Sequence, residues 1–599
     1  MKNPTQFQPK GRTGGRDLLK GHDVKYIYSR LWSYISHYKL LFLFAIVLTV
    51  ISSVLSITGT SLAGSAIGAI ANDGTERSVG YYLILMVILY SVSALISYLL
   101  SVLMVAISQK IVNKMRNDVY ENLVRLPVGF FDKKQAGELV STISYDINTV
   151  NESLSGDFIN IISSVVTVIY SFVLMLTVSK KLILVFVVTI PLSVILTNVI
   201  SRIVRPLFRR RSASLGEMNG YIEEMIAGHK AIKAYGRENE VIENFAKKNA
   251  EATEAYRSAE ANGTMAGPSV AFVNNLSLTL VNVVGAFLYM SGGGLSITGL
   301  SKFVLLSRKF SGPINQIANI YADIQSALAA SERVFRLIDE HPEPSDPEDA
   351  KPLLITAGEV RFENVNFGYE ENKPVLHSLS FTAPPASVTA IVGPTGAGKT
   401  TVINLLMRFY DINSGRILID GQDIYSVTRE SLRRSYTMVL QETWLFRGTI
   451  FENLAYGREG VGRREVEEAC RAARIHNYIM GLPDGYDTVI SELGGNISKG
   501  QKQLLTIARA MLIDSNILIL DEATSNVDSK TEKDISDAMI RLMKNKTCFV
   551  IAHRLSTVVG ADNILVIRDG DVVEQGRHSE LLLKGGFYSE LYHSQFEST

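Results

Sequence analysis

Cysteine is almost missing: the 599 residues include two, Cys470 and Cys548. A disulfide framework is therefore excluded, and the nine histidines are scattered without the spacing of a metal site. An excess of one charge is missing too. Lys and Arg number 60 against 59 Asp and Glu, which argues against nucleic acid as the main partner. The first 23 residues are polar and rich in Gly, Lys and Arg. They lack the apolar core and small-residue cleavage site of a signal peptide and read as a mobile tail.

What is present is unevenly distributed. Hydrophobic residues make up 47% of the chain, yet the long apolar runs all fall in the first 320 residues. The length exceeds the roughly 250–300 residues at which a single core stops growing, so more than one domain is expected. Six runs, near 40–60, 81–107, 157–178, 182–204, 266–290 and 296–318, approach the ~20 residues that a ~30 Å hydrocarbon core demands. The second continues from Tyr81 to Ile107 without a charge, whereas Lys302, Arg308 and Lys309 interrupt the sixth. Basic residues crowd the N-terminal segment and the stretch Arg202, Arg205, Arg209, Arg210 and Arg211, while the gap after the first run has only Arg77. The charge rule then places the N-terminus, the polar insertions at about 108–156 and 205–264, and the C-terminal half in the cytoplasm of a multi-pass protein of the cell membrane. Ser179-Lys180-Lys181 falls outside in this scheme, a small exception. Aromatic and basic residues are mixed at roughly helical spacing between Tyr26 and Ile35, which suits a helix lying in the membrane interface or a cytoplasmic extension of the first span.

The second half opens with a different kind of pattern. Val388-Thr389-Ala390-Ile391-Val392 runs into Gly393-Pro394-Thr395-Gly396-Ala397-Gly398-Lys399-Thr400, followed by Thr401 and a helix-like apolar segment. Strand, glycine-rich loop and helix match the phosphate-binding P-loop: backbone N–H groups cradle phosphates, the lysine reaches the β and γ oxygens, and the Thr400 hydroxyl ligates Mg²⁺. Further on, the apolar Ile517-Leu518-Ile519-Leu520 ends in two carboxylates, Asp521 and Glu522. The pair completes an ATP-hydrolysing site, with ATP and Mg²⁺ as its ligands.

Taken together these residues resemble the ATP-binding cassette exporters, in the form of a half-transporter. The resemblance implies an all-α transmembrane domain of six helices fused to an α/β P-loop nucleotide-binding domain. It divides the chain into a tail (1–23), a membrane domain (24–325), a linker (326–358) and a nucleotide-binding domain (359–599). By the same resemblance Tyr369 stacks on adenine, and Gln441 reaches Mg²⁺ and the attacking water. Asp521 holds Mg²⁺, Glu522 activates the water, Asp528 lies on the loop that crosses to the second domain, and His553 senses the γ-phosphate. That division of labour suits phosphoryl transfer, which needs charge neutralisation and a positioned water rather than a covalent nucleophile. Leu126 to Asp132, Gly137 to Leu139 and Tyr221 to Gly228 resemble the family's intracellular loops, whose short transverse helices seat in nucleotide-binding domains.

The signature segment departs from the family. Where L-S-G-G-Q is usual, this chain has Ile497-Ser498-Lys499-Gly500-Gln501. Ser498, Gly500 and Gln501 remain to close over the γ-phosphate held by a second subunit, but Lys499 adds bulk where close approach is needed and is expected to restrict φ. The resemblance thus implies a heterodimer in which an unlike half-transporter supplies the better signature; a homodimer tolerating Lys499 twice is the alternative. Cargo is expected to be an amphipathic small molecule such as a drug, lipid or peptide, with membrane lipid around it and no nucleic acid. No peptidase-like segment precedes the spans, so trimming of a peptide cargo is not expected. An importer of metal-loaded siderophores on the same fold, or an ATP-gated membrane protein that does not transport, are the competing readings; Glu522 speaks against the second.

Overall fold

The computed structural model describes residues 24–71, 79–291, 294–370, 373–440, 443–490, 497–521, 528–552 and 555–596. They form two units. The first takes in the described residues up to Val124 together with Ala136–Glu340; the second comprises Arg125–Gln135 and the chain from His341 onward.

The first unit is wholly helical. A short α1 (Val24–Ser36) precedes α2 (Lys39–Ala71) and α3 (Val79–Arg125). After α4 (Val128–Lys133), which belongs to the second unit, come α5 (Ala136–Ser141), α6 (Ile147–Glu152) and α7 (Phe158–Val178). Single π-helical turns at Thr142–Asp146 and Ser153–Asp157 join these three into one rod. The unit continues with α8 (Leu184–Ala227), α9 (His229–Tyr235), α10 (Glu238–Gly263), α11 (Ala266–Met290) and α12 (Ile297–Ile338).

Five stretches, Lys39–Ala71, Val79–Arg125, Ala136–Val178, Leu184–Ala227 and Glu238–Met290, are long and apolar enough to cross a membrane. The sixth long helix is α12, the one that Lys302, Arg308 and Lys309 interrupt. Leu83, Ile84, Val87 and Leu95 of α3 are each more than half exposed, as suits side chains that meet lipid instead of a protein core. Inside, Ile57, Met175, Phe186, Val281, Phe303, Leu306 and Phe310 are buried together. Small hydroxyls bridge the helices, as in Ser52 to Ser97 at 2.7 Å and Thr189 to Ser277 at 3.1 Å.

The polar insertions expected between spans are mostly continuations of the helices. At 1.5 Å per residue, the 47 residues of α3 extend about 70 Å, more than twice a hydrocarbon core. Likewise α12 runs through the start of the expected linker to Ile338, because Ala327, Leu328, Ser331, Val334 and Phe335 keep one helical face buried. Its end is held from two sides. Asn122 donates to the carbonyls of Leu337 and Glu340 at 3.0 Å, and Asp339 accepts from Tyr26 and Arg30 of α1.

In the second unit, β1 (Val360–Phe367), β2 (Leu376–Ala383), β4 (Ser414–Ile419) and β5 (Gln422–Asp423) make an antiparallel sheet ordered β2-β1-β4-β5. A second sheet, ordered β12-β11-β3-β10-β9-β6, contains β3 (Val388–Val392), β6 (Tyr436–Val439), β9 (Ile517–Asp521), β10 (Thr547–Ile551), β11 (Asn563–Arg568) and β12 (Asp571–Gly576). All its pairings are parallel except that of β12. The pair β7 (Gly448–Thr449) and β8 (Val489–Ile490) stands apart. The helices are α13 (Lys399–Leu406), α14 (Arg429–Arg434), α15 (Ile450–Ala455), α16 (Arg463–Ala472), α17 (His476–Met480), α18 (Lys499–Met511), α19 (Ser529–Met543), α20 (Leu555–Val559), α21 (His578–Lys584) and α22 (Phe587–Phe596).

Both faces of the parallel sheet are covered, which is why its strands read as unbroken apolar runs. Ile519, Phe549, Ile551 and Leu565 pack on one face, while Leu518, Leu520, Cys548 and Val550 pack on the other. Residues entering the unit after α12 are tied down by charge: Arg429 donates to Asp346 at 3.0 Å and Arg433 to Glu343 at 2.9 Å.

Candidate functional site

The site begins where β3 runs out. Its last residue, Val392, is buried, and Gly393 then turns the chain so tightly that a β-carbon there would lie 2.1 Å from the carbonyl oxygen of Ile567. Only glycine fits. Pro394, Thr395 and Gly396 are exposed, Ala397 and Gly398 are buried, and α13 starts at Lys399. The lysine ammonium donates back to the carbonyls of Gly393 at 2.8 Å and Pro394 at 2.9 Å, so the loop is wrapped around it. Burial holds the Lys399 pKa below that of an ordinary lysine, while the charge of Asp521 opposes the shift. An anion placed over the loop would meet exposed backbone at a helix N-terminus and a nearby cation.

Parallel register brings the carboxylate to the same edge. Ile551 of β10 pairs with Ile391 of β3 on one side and with Asp521 of β9 on the other. The P-loop and Asp521 therefore leave the carboxyl ends of strands separated only by β10, where ligands of open α/β sheets bind. Thr400 is exposed in the first turn of α13. A threonine hydroxyl and a carboxylate are hard oxygen donors, a set that fits Mg²⁺ shared with phosphate oxygens. Gln441, Glu522 and His553 lie outside the described residues.

Tyr369 stands beside this loop. Its hydroxyl lies 3.2 Å from the Thr401 hydroxyl and accepts from the Asn404 side chain at 3.3 Å, which seats the ring against the first turns of α13. The residue is 39% exposed, and its ring meets Phe367 and Tyr410 edge to face, each at 4.9 Å. Tyr410 escaped the sequence reading. Its hydroxyl donates to Asp132 of α4, and burial together with that bond raises its pKa. A β-carbon on Gly129 would come within 2.7 Å of the Tyr410 ring. The segment likened to the first intracellular loop thus carries a short helix that belongs to the nucleotide-binding unit. The other segment, Tyr221 to Gly228, closes α8 in the first unit.

The signature segment opens a helix, but not as the Lys499 substitution suggested. Ser498 caps α18: its hydroxyl accepts the Gln501 N–H at 3.3 Å, and the Gln501 side chain accepts the Ser498 N–H at 3.0 Å. Lys499 is the first helical residue and exposed, and Gly500 is buried. The expected restriction of φ is therefore corrected, because the first position of a helix suits any L side chain; only the bulk of the lysine remains. Asp528 also caps a helix. Its carboxylate accepts the Thr531 N–H at 3.0 Å, and that bond lowers its pKa.

A helical membrane unit continuous with a P-loop domain of this architecture defines an ATP-driven membrane transporter. Residues 42–314 match the ABC transporter transmembrane region, and residues 376–525 match the ABC transporter ATP-binding domain. The chain is 41% identical over 586 residues to the uncharacterized ABC transporter ATP-binding protein YfiC of Bacillus subtilis, covering 98% of this chain and 97% of that one. It is 42% identical over 528 residues to the fatty acid ABC transporter ATP-binding/permease protein of Mycobacterium bovis (88% and 83% covered). To the ATP-dependent lipid A-core flippase of Salmonella typhimurium it is 34% identical over 581 residues (95% and 98% covered). A bacterial Atm1-family ABC exporter solved with ATP bound superposes with a TM-score of 0.75 at 30% identity, covering 93% of this chain and 98% of that one. The chain belongs to the ABC exporters, membrane proteins that couple ATP hydrolysis to transport and work as dimers.

Proposed function

We propose that the chain is one half of an exporter that moves amphipathic small molecules across the cell membrane by alternating access, with its ATPase unit in the cytoplasm. ATP is bound by Tyr369 and the P-loop residues Gly393 to Thr401. Thr400, Asp521 and Gln441 would hold Mg²⁺, which when bound would supply charge neutralisation for phosphoryl transfer. Glu522 positions the water and His553 contacts the γ-phosphate. Ser498, Gly500, Gln501 and Asp528 complete the site on the other subunit. The observation that supports this reading best is the meeting of P-loop and Asp521 at one sheet edge, on a chain whose other half is a membrane unit. Relatives named for fatty acid and lipid A-core favour a lipid-like cargo over other amphiphiles.

With the complex in proteoliposomes, ATP should drive movement of a labelled amphiphile across the bilayer. Glu522→Gln should bind ATP normally and lose at least ~10²-fold in turnover, the scale of a missing general base. Lys399→Ala should instead weaken nucleotide binding. Near wild-type hydrolysis by Glu522→Gln would overturn the assigned roles.

A further inference from the structure

The membrane unit has an unbalanced charge at mid-depth. Across the six apolar runs the one acidic residue is Asp157, at the first position of the third, and apart from Arg202 near the end of the fourth the cations are Lys302, Arg308 and Lys309. All three belong to α12, and they differ in surroundings. Lys302 is half-buried, with its backbone pressed on α2 so closely that a β-carbon on Gly64 would lie 2.6 Å from its nitrogen. Arg308 and Lys309 are exposed. Counting 1.5 Å per residue from Ile297, they sit about 16–18 Å along the helix, near the middle of a ~30 Å hydrocarbon layer.

The two faces of α12 differ in burial. One face buries Phe303, Leu306, Ser307 and Phe310 in the helix bundle. Arg308, Lys309 and Gly312 are turned away from it. Helices that present side chains to lipid look different: α3 exposes Leu83, Ile84, Val87 and Leu95. A guanidinium and an ammonium are costly at mid-bilayer unless they line water or find an anion, and charged residues inside membranes mark transport pathways for that reason. Among the described residues no ion pair involves either. Two copies of such a helix in a dimer would add further positive charge, which an anionic occupant neutralises.

We propose that Arg308 and Lys309 recognise the anionic head, a carboxylate or phosphate, of an amphipathic cargo in the pathway between the two membrane domains. The proposal rests on the export reading and narrows its substrate class to acidic amphiphiles. Hydrophobic walls take the tail, and the two cations select the head.

Binding is measured without ATP, using the full chain assembled with its partner in nanodiscs of neutral lipid. The probes are a fluorescent polyene fatty acid and the alcohol and amine of the same chain, with empty discs as background. The acid should bind at least about tenfold more tightly than the alcohol or the amine. Arg308→Gln with Lys309→Gln should remove that preference, whereas Arg308→Lys with Lys309→Arg should keep it. In the wild-type complex a long-chain alkyl phosphate should displace the acid and inorganic phosphate should not, a readout that needs no variant to fold. Equal affinity for acid, alcohol and amine, a preference that survives the double Gln variant, or equal competition by inorganic phosphate would overturn the site. Failure of the export reading looks different: the acid binds with the expected preference, yet ATP moves none of it across the bilayer.

Discussion

Single side chains carry much of the chemistry, and the two cysteines show how burial silences one. Cys470 and Cys548 are both buried and unpaired, and loss of solvation pushes each thiol up to about 12. Because the reactive species is the thiolate, neither should react with a water-soluble disulfide reagent at pH 8, while both should after unfolding. The pH sense follows. The folded pKa lies above the ordinary thiol value of about 8.5, so stability is unaffected below that value and falls as the pH climbs from there toward 12. Titration of the native protein with such a reagent checks this; one fast-reacting thiol would contradict it. A chain so inert is also a clean background for introducing single cysteines. Lys499 carries the opposite lesson, since its residue type suggested a backbone cost that a helical position does not impose.

At the scale of elements, α4 is the part whose placement matters most. It touches Tyr410 through Asp132 and Gly129, and Tyr410 in turn meets Tyr369, the ring proposed to stack on adenine. If that ring holds the nucleotide as proposed, these contacts link it to a segment joined by short links to α3 and α5. Tyr410→Phe keeps the ring contacts and deletes the donor. ATP affinity should stay within about twofold, while cargo-stimulated turnover should fall about tenfold, the scale of one hydrogen bond to a charged group. Gly129→Ala should act in the same direction by driving a methyl into the Tyr410 ring. Paired measurements of nucleotide binding and stimulated ATPase in liposomes decide it: equal loss of both would mean that Tyr410 only supports the fold.

The whole molecule raises the question of its partner. Lys499 is exposed on the first turn of α18, whose N-terminus in the proposed dimer faces the other subunit's nucleotide. Beside an intact P-loop and Glu522, one altered signature makes the two ATP sites unequal if the partner differs. Expressed alone, the chain should be poorly active; co-expressed with an unlike half-transporter, it should give a one-to-one complex with one fast and one slow site. Lys499→Gly should then alter the slow site and leave the fast one largely intact. A homodimer of this chain with full cargo-stimulated activity and two equivalent sites would refute the heterodimer and leave the exporter assignment standing.

The sequence by itself determined the membrane spans, the ATPase motor and their order, because these depend on local rules. A span needs only length and apolarity, and a P-loop needs only glycines and a lysine between strand and helix. Five of the six expected runs lie in helices long and apolar enough to cross, and the sixth, which Lys302, Arg308 and Lys309 interrupt, is helical as well. What sequence spacing could not reveal depends on contacts between distant residues. Parallel register set Asp521 one strand away from the P-loop, and packing extended α12 past the expected start of the linker. Likewise Tyr410 meets α4 across 278 positions of chain. No periodicity encodes a partner that far away; only the folded chain, closing both loops at once, brings the phenol to the carboxylate.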